Sequence, residues 1–544
     1  MSNNFLCYFA KLALPIQGLP FVFFFLLSLV SNSCYLYIDG SLYAGLIILC
    51  LSAFIAYVES LLLAVFKYRW FKILYVIIIV TIQLTLAITD YYLLVYFNTI
   101  VNQGTVGILA ETNTFEIYNF GETYLSSLLG AIFLGGALCW IVFILSKKIS
   151  LYRYQRIAAF LVCAGFFITM FCCYGYARYK SGMNITQYSS ITRCVHSLLM
   201  IKKEMNEIKL LLDVCKNQDV ILDSIRKPTI VVIIGESFSV YHSSLYGYDK
   251  ETNSLLSKRY RDGSLIVFDN AVSTNDVTSK VMKTVFSLDS LGVDFTSKAL
   301  FPALFKASHY YTALYDNQYL VNEGISILSD KELSDVMFDK RNEKFYQYDG
   351  QMVDDILVPD SVSLIIIHLM GQHFAYDKRY PPKFAKYNSN DYDSKYGEVV
   401  AHYDNATIYN DFVVNQIIEK FKNTYSCVLY FSDHGEEVYE LRDFNGHCSA
   451  AYSPNLNYQI RIPMFLWFSP SYLAENQDLV KLIRTRCHAP ICSDDIGHVL
   501  LDLAGIKTKD FVPTRSFVND RFDSKRHRIV LNSVDYDDYW VDHQ

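Results

Sequence analysis

The stretch Ile230–Tyr248 reads IVVIIGESFSVYHSSLYGY, and a later stretch, Val428–Glu437, reads VLYFSDHGEE. Each is an apolar run that ends abruptly in polar residues, at Glu236 in the first and at Asp433 and His434 in the second. Buried strands of open α/β sheets deliver site residues in this way, at their carboxyl ends. Glutamate, aspartate and histidine together form an O/N ligand set that suits a zinc ion. Helix caps and turns after the two strands would use the same residue types, so the strand ends alone leave both interpretations open.

The composition divides the chain into an apolar N-terminal part and a C-terminal part of ordinary globular character. At 544 residues it is long enough for two or more domains, and its 52% hydrophobic content is concentrated before about Tyr179. The net charge of −6, with no long basic run, argues against a nucleic-acid partner. We predict a transmembrane domain at 1–178, bridging helices at 179–226 and a catalytic domain at 227–544.

Five N-terminal segments are long and apolar enough to cross a bilayer. They are Leu19–Ile38, Tyr43–Phe66, Ile73–Phe97, Leu125–Leu145 and Ile157–Tyr174. The first has no clear small-residue cleavage site and is followed by further spans, which favours an uncleaved anchor over a signal peptide.

Basic residues in the loops predict how the spans are oriented. The loop between spans three and four, 98–124, contains no Lys or Arg. The loops after spans two and four are basic, with Lys67, Arg69, Lys72, Lys147, Lys148, Arg153 and Arg156. Under the positive-inside rule the N-terminus is cytoplasmic and the large C-terminal domain lies on the opposite side. Disulfides are chemically possible there, and proximity favours Cys487 with Cys492.

From Pro228 onward, strand-like and helix-like stretches alternate. The strand-like runs are Thr229–Ile234, Ser363–His368, Cys427–Phe431 and Met464–Phe468, and the helix-like stretches include Glu398–Lys422 and Asp494–Ala504. Strands separated by helices predict an α/β domain whose mainly parallel sheet is sandwiched by helices.

An amphipathic helix is predicted just before this domain, in MIKKEMNEIKLLLDV. Met205, Ile208, Leu211 and Leu212 share one face at helical spacing. The helix either packs against the domain or lies along the membrane surface.

Further candidate residues cluster near the predicted strand ends. His368 and His373 follow a strand in IIIHLMGQH, and His447 follows Asp433 in NGHCSA. A group-transfer site also needs a nucleophile, and a bare hydroxyl needs a metal ion or a base to activate it. The residue types do not choose among the nearby hydroxyls, which are Ser237, Ser239, Ser273, Thr274, Thr278 and Thr284.

The chain resembles the phosphoethanolamine transferases that modify bacterial lipopolysaccharide, which belong to the alkaline phosphatase and sulfatase superfamily. The resemblance runs through the whole chain, from the five spans to the C-terminal domain. Its motifs are IGES followed by SLYGYDKETN, FDNAVSTNDVTSKVMKTVFS, YDNQ, HLMGQH with KRYP, YDNA, SDHGEE, the later GH, RIPMFLWFSP and SDDIGHVLLDLAGI.

The resemblance implies an alkaline-phosphatase-like fold and a role for each matching residue. Glu236, Asp433 and His434 would be ligands of a catalytic zinc. Alignment on Phe286-Ser287 places the nucleophilic threonine, itself a further zinc ligand, at Thr278. Family members often carry a cysteine and a glycine where this chain has Thr274 and Asn275, so Thr274 stays an alternative nucleophile.

The remaining implied roles concern the substrate. His373 and His447 match histidines that hold the phosphoryl group or a second zinc, so one or two zinc ions are expected. The loop AETNTFEIYNF resembles a family segment on the lipid-facing side of the site. Glu111, Asn113 and Glu116 would engage the ethanolamine ammonium there, although a solvated acidic loop explains these residues equally well.

The implied function is a phosphoethanolamine transferase of the bacterial inner membrane whose catalytic domain lies in the periplasm. It would take the group from phosphatidylethanolamine, through a phosphothreonine intermediate, to lipid A, lipopolysaccharide core or another envelope glycan. The alternatives are a phosphoglycerol transferase, a sulfatase or phosphodiesterase of the same superfamily, and an inactive lipid-binding scaffold.

Overall fold

The computed structural model contains two compact units, each described here by itself. One comprises 1–110 and 120–203, and the other comprises 111–119 and 204–544. The predicted bridging segment, 179–226, contains a helix, Ser190–Lys216, that runs through the boundary between the units. The structure describes 16–542, apart from 17, 39, 98, 103–104, 108, 110–113, 150–155, 158–159, 162–163, 166–187, 217, 223–226, 290–294, 320–325, 442 and 448–455.

The N-terminal unit is helical and strongly apolar. Three of its described helical segments are long and apolar enough to cross a membrane, Ala44–Val65, Arg69–Val95 and Leu125–Lys148. These confirm the second, third and fourth predicted spans. The helices of the unit are α1 Gly18–Asn32, α2 Tyr35–Ile38, α3 Leu42–Val65, α4 Arg69–Phe97 and α5 Thr114–Lys148, and α6 is Ser190–Lys216.

The first and fifth predicted spans have different outcomes. A turn at Ser33-Cys34 divides the first into α1 and the short α2, so its apolar helix is shorter than the other three. Most of the fifth, Ile157–Tyr174, lies outside the described residues. The count of five spans therefore stays a prediction.

Polar side chains inside this unit are paired across helices. Glu59 of α3 accepts a 2.6 Å hydrogen bond from Gln83 of α4. Arg193 of α6 forms an ion pair with Asp90 of α4, and both side chains are buried. Pairing offsets the cost of placing such groups in an apolar environment.

The C-terminal unit is built on a seven-stranded sheet. Its strands are β1 Thr229–Gly235, β2 Leu265–Phe268, β3 Tyr311–Asp316, β4 Lys340–Arg341, β5 Ser363–His368, β6 Ser426–Ser432 and β7 Met464–Phe468. Their order in the sheet is β2-β7-β6-β1-β5-β3-β4. Only β7 runs opposite to the other six strands, which confirms the mainly parallel sheet.

Side chains of the central strand alternate between the two faces of the sheet. Val232 and Ile234 pack into one apolar core, and Val231 and Ile233 pack into a second core on the opposite face. Helices cover both faces, as predicted. They are α7 Ser254–Arg261, α8 Thr278–Phe286, α9 Phe301–Ala307, α10 Lys331–Met337, α11 Asp349–Asp355, α12 Gly397–Phe421, α13 Leu456–Ile460, α14 Pro470–Glu475, α15 Gln477–Arg484, α16 Ile496–Ala504 and α17 Tyr536–Asp542.

Two local predictions need correction. In α6, Ile208, Leu211 and Leu212 are buried in the first core, but Met205 is 46% exposed, so the buried part of this face begins after Met205. The C-terminal half of this helix therefore packs on the domain. Cys487 and Cys492 are both free, so the predicted disulfide between them is wrong.

Candidate active site

The register of β1 and β6 creates the candidate site. Gly235 pairs with Ser432 in these parallel neighbours, so the residues that follow both strands emerge side by side. Asp433 remains attached to the first strand through its backbone N–H, which donates to Gly235 O at 2.9 Å. The next residues, Glu236 and His434, therefore meet at the carboxyl edge of the sheet.

Three side chains converge there and are fully buried. His434 Nε2 lies 3.5 Å from Glu236 Oε1 and 3.3 Å from Asp433 Oδ2. One ligand-type atom from each residue falls within 4.8 Å of the others. The second ring nitrogen of His434, Nδ1, lies 2.8 Å from Gly435 O, which orients the imidazole so that Nε2 faces the carboxylates.

The electrostatics of this cluster favour the binding of a cation. Burial, reinforced by the negative charge of Glu236, holds the pKa of Asp433 well above its usual range. Burial would also raise the pKa of Glu236, but the neighbouring His434 and His373 more than offset this and leave it lowered. Asp433 Oδ2 is buried without a hydrogen-bond partner among the described residues. Two buried carboxylates and one imidazole therefore fit a divalent metal ion, which would neutralise their charge.

A hydroxyl group faces this cluster from the start of α8. Thr278 is the first residue of the helix, and its Oγ1 donates to Glu236 Oε2 at 3.2 Å and lies 3.4 Å from His434 Nε2. The alternative nucleophile, Thr274, has its hydroxyl 2.6 Å from that of Thr284. Of the two threonines, Thr278 is the one whose hydroxyl contacts the candidate ligands.

The three predicted histidines take different positions. The His447 ring lies against that of His434 at an angle of 42°, with ring centroids 4.1 Å apart, and His447 Nδ1 lies 2.7 Å from Glu436 Oε2. Burial, with further effects from nearby charges, lowers the pKa of His373 to about 3, so its imidazole is neutral at pH 7. His368 contacts Asp316 at the end of the neighbouring strand, with Nδ1 3.1 Å from Asp316 Oδ1, and burial opposed by the charge of Asp316 leaves its pKa raised.

The predicted substrate loop is only partly described. Glu111 and Asn113 lie outside the described residues. Glu116 lies on α5, but its side chain is also outside them.

Two further residues of the site have roles that the sequence analysis did not assign. Gln318 donates to Glu236 Oε2 at 2.9 Å and to Leu369 O at 2.8 Å. Ser237 contacts both carboxylates, because its hydroxyl donates to Glu236 Oε1 at 2.7 Å and its N–H donates to Asp433 Oδ1 at 3.1 Å. The YDNQ and GES motifs contain these residues, but nothing in the sequence shows which atoms they contact.

Backbone geometry brings a glycine turn against the site. Gly371 has φ +48°, and a Cβ there would lie 2.8 Å from Glu236 O. Only glycine allows so close an approach without displacing the backbone. Asp349 holds the same turn by accepting from the N–H groups of Met370 and Gly371, each at 2.9 Å.

This sheet-edge site lies within a region, residues 228–506, that matches the sulfatase family model. The chain belongs to the sulfatase family. The match begins just before β1 and includes Glu236, Thr278, Asp433 and His434. It extends over more than half of the chain.

Similar curated proteins include phosphoethanolamine transferases of Escherichia coli and Salmonella typhimurium. The chain is 30% identical over 316 residues to phosphoethanolamine transferase EptC of Escherichia coli K12, covering 54% of each chain. It is 28% identical over 351 residues to phosphoethanolamine transferase CptA of Salmonella typhimurium, covering 60% of this chain and 59% of that protein. The chain thus spans little more than half the length of the curated relatives it matches.

Solved structures support both units of the fold. The C-terminal periplasmic domain of Escherichia coli EptC, in complex with zinc, is 27% identical with a TM-score of 0.53, covering 59% of this chain and 96% of that domain. The integral membrane transferase EptA of Neisseria meningitidis aligns over 92% of this chain and 98% of its own, with a TM-score of 0.65 and 15% identity. The second likeness concerns the fold alone, and it covers both the helical unit and the α/β unit.

Proposed function

We propose that this protein transfers phosphoethanolamine from phosphatidylethanolamine to lipid A, lipopolysaccharide core or another envelope glycan. The observation that carries the proposal is the position of Thr278 Oγ1, within 3.4 Å of both Glu236 and His434 at the carboxyl edge of the sheet. The names of the relatives supply the transferred group, and the acceptors follow from the resemblance.

The proposed cofactor is zinc, held by Glu236, Asp433 and His434 with Thr278 as a further ligand. Burial of the first three, the O/N donor set and the unpartnered Asp433 Oδ2 support this assignment. A bound zinc ion would lower the pKa of a hydroxyl group and stabilise negative charge that develops on phosphoryl oxygens.

The reaction proceeds in two displacements at phosphorus. Thr278 Oγ1 forms a bond to the phosphorus of the donor, the bond to the diacylglycerol oxygen breaks, and the threonine proton is transferred to that leaving oxygen. An acceptor hydroxyl or phosphate oxygen then displaces Thr278, which regains a proton. His373 and His447 bind phosphoryl oxygens or carry these protons.

The helical unit fits a donor that is a bilayer lipid. Three described segments are long and apolar enough to span a membrane, and a soluble phosphodiesterase has no need of them. The loop charges support a catalytic domain on the side of the membrane opposite the cytoplasm, which in this proposal is the periplasmic side of the inner membrane. In this arrangement the phospholipid donor and the envelope glycan acceptor are both available.

Mass spectrometry of lipid A and core oligosaccharide tests the function in cells. Cells that express the native chain should gain a phosphoethanolamine mass increment on one of the two fractions. Cells that express Thr278→Ala at the same level should show none. No increment with the native chain on either fraction, despite good membrane expression, would move the acceptor to another glycan or favour the scaffold alternative.

Ser237 should strengthen zinc binding, because it is hydrogen-bonded to the carboxylates of both Glu236 and Asp433. Its φ of 54° is rare for a residue with a side chain and directs the N–H toward Asp433. Loss of such supporting contacts typically weakens metal binding about 10- to 100-fold. We expect Ser237→Gly, which tolerates this backbone conformation but lacks the hydroxyl, to weaken zinc binding about tenfold in chelator competition. Ser237→Ala should weaken it further, and equal affinity for all three proteins would exclude this role.

A further inference from the structure

A chain of three side chains leads away from the candidate nucleophile into the domain. Tyr376 OH donates to Glu436 Oε1 at 2.6 Å, and Glu436 Oε2 lies 2.7 Å from His447 Nδ1. Tyr376 and Glu436 are 4% and 1% exposed, so these two members of the chain are shielded from water, whereas His447 is partly exposed. At the other end, the His447 ring lies against that of His434.

The tyrosine is held rigidly. Its ring packs edge-on against Tyr403, with centroids 5.0 Å apart, and Asn445 donates to its hydroxyl at 3.4 Å. The preceding residue, Ala375, has φ 60°, a left-handed conformation that is strained for alanine. Such strain is maintained only where the surrounding contacts fix the conformation, and here it leads directly into the buried tyrosine.

Some of the same residues could instead bind a second metal ion. His434, Glu436 and His447 place ligand-type atoms within 4.8 Å of one another. However, both carboxylate oxygens of Glu436 already have short hydrogen-bond contacts. Both ring nitrogens of His434 are also engaged, Nδ1 near Gly435 O and Nε2 facing the carboxylates of the first site. A second ion would have to displace these contacts.

We propose that Tyr376 and Glu436 are positioning residues that orient His447 for proton transfer during phosphoryl transfer. With Nδ1 engaged by Glu436, Nε2 is the ring nitrogen left to serve the reaction. The tyrosine hydroxyl fixes the carboxylate, and the carboxylate fixes the ring. This inference rests on the proposed transferase function.

The test combines kinetics and zinc counting on the purified full-length chain in detergent. Diacylglycerol release from phosphatidylethanolamine is measured for the native protein, Tyr376→Phe, His447→Ala and the double variant. We expect Tyr376→Phe to lower kcat about tenfold with little change in KM, since only an orienting hydroxyl is lost. In the His447→Ala background the same substitution should have no further effect, because its target is gone.

A matched control separates the effect of Tyr376→Phe on the orientation of His447 from an effect on folding. Tyr380 lies in the same loop and its hydroxyl is 2.7 Å from His402 Nδ1, so Tyr380→Phe loses a comparable contact and should retain native kcat. Equal losses from Tyr376→Phe in both backgrounds would overturn the proposal, as would a lowered Tm without the kinetic pattern.

The number of zinc ions bound per protein tests, independently of turnover, whether Glu436 is instead a ligand of a second metal ion. Native protein and Glu436→Gln should bind the same number of zinc ions. Two ions in the native protein and one in the variant would assign Glu436 to a metal and overturn the positioning role. If the native chain releases no diacylglycerol, the transferase function fails, while the zinc count still decides between the two uses of Glu436.

Discussion

Thr278→Ala is expected to abolish formation of a covalent phosphoethanolamine intermediate and to lower turnover by on the order of 10³-fold or more. The reason is geometric, because Thr278 Oγ1 lies 3.2 Å from Glu236 Oε2 and 3.4 Å from His434 Nε2. The measurement is peptide mass mapping after incubation of the purified native chain with phosphatidylethanolamine. The native protein should carry the group on Thr278, and the variant should carry none.

The alternative nucleophile provides the control. Thr274 and Thr278 fall in one tryptic peptide, 262–280, so fragment ions must locate the modified residue. The Thr274→Ala variant should remain modified on Thr278 and lose only a small part of its activity, because in the native protein the Thr274 hydroxyl is hydrogen-bonded to that of Thr284. Modification of Thr274, or equal losses for the two variants, would assign the nucleophile to Thr274 instead.

The carboxyl edge of the sheet was predictable because a buried strand requires apolar residues, and this requirement is visible in the sequence. A central strand with helices on both faces must be apolar throughout, so the polar residues after Gly235 and Ser432 mark the strand ends. The predicted bounds of Ser363–His368 and Met464–Phe468 match the observed strands. Three strands of the sheet were not predicted. The outer strands β2 and β4 have four and two residues, too few to show a pattern, whereas β3 was missed although it has six.

Contacts between distant segments were not predictable. Six hydroxyl residues compete for the role of nucleophile in the sequence, and only the fold distinguishes Thr278 from Thr274. Gln318 reaches Glu236 from the end of another strand, and Tyr376 reaches Glu436 across 60 residues of sequence. Such polar contacts depend on side-chain direction and chain register, which local patterns do not encode.

The two buried carboxyl groups also predict how the Tm of the metal-free protein changes when one of them is replaced by an uncharged amide. We expect Asp433→Asn to raise the Tm of the zinc-free protein and to abolish the increase in Tm caused by zinc. The asparagine Oδ1 can still accept from the N–H groups of Ser237 and His434, as Asp433 Oδ1 does at 3.1 and 2.7 Å. Its Nδ2 would replace Oδ2, which has no hydrogen-bond partner among the described residues, with a donor that faces Glu236 and His434. The free-energy cost of burying the Asp433 carboxyl group beside Glu236, which its raised pKa reflects, is thereby removed, together with one metal ligand.

The zinc-dependent effect in the native protein should be large. A ligand that binds only the folded state stabilises it by about 4 kcal/mol when its free concentration is roughly 1,000 times Kd. Thermal unfolding with excess zinc and with a chelator measures this difference for the native protein and the variant. Because the variant lacks a ligand, its two unfolding curves should coincide.

Asp411→Asn is the matched control, because Asp411 is a buried aspartate outside the candidate ligand set and its carboxylate caps α7. Its two carboxylate oxygens accept from the N–H groups of Leu255 and Leu256 at 2.9 and 3.0 Å. Asparagine offers one acceptor oxygen instead of two, so this variant should lower the Tm equally with and without zinc and keep the full zinc-dependent increase. If Asp433→Asn behaves like this control, with a lower Tm and an intact response to zinc, Asp433 is a structural aspartate. The metal site would then have to be sought among other residues.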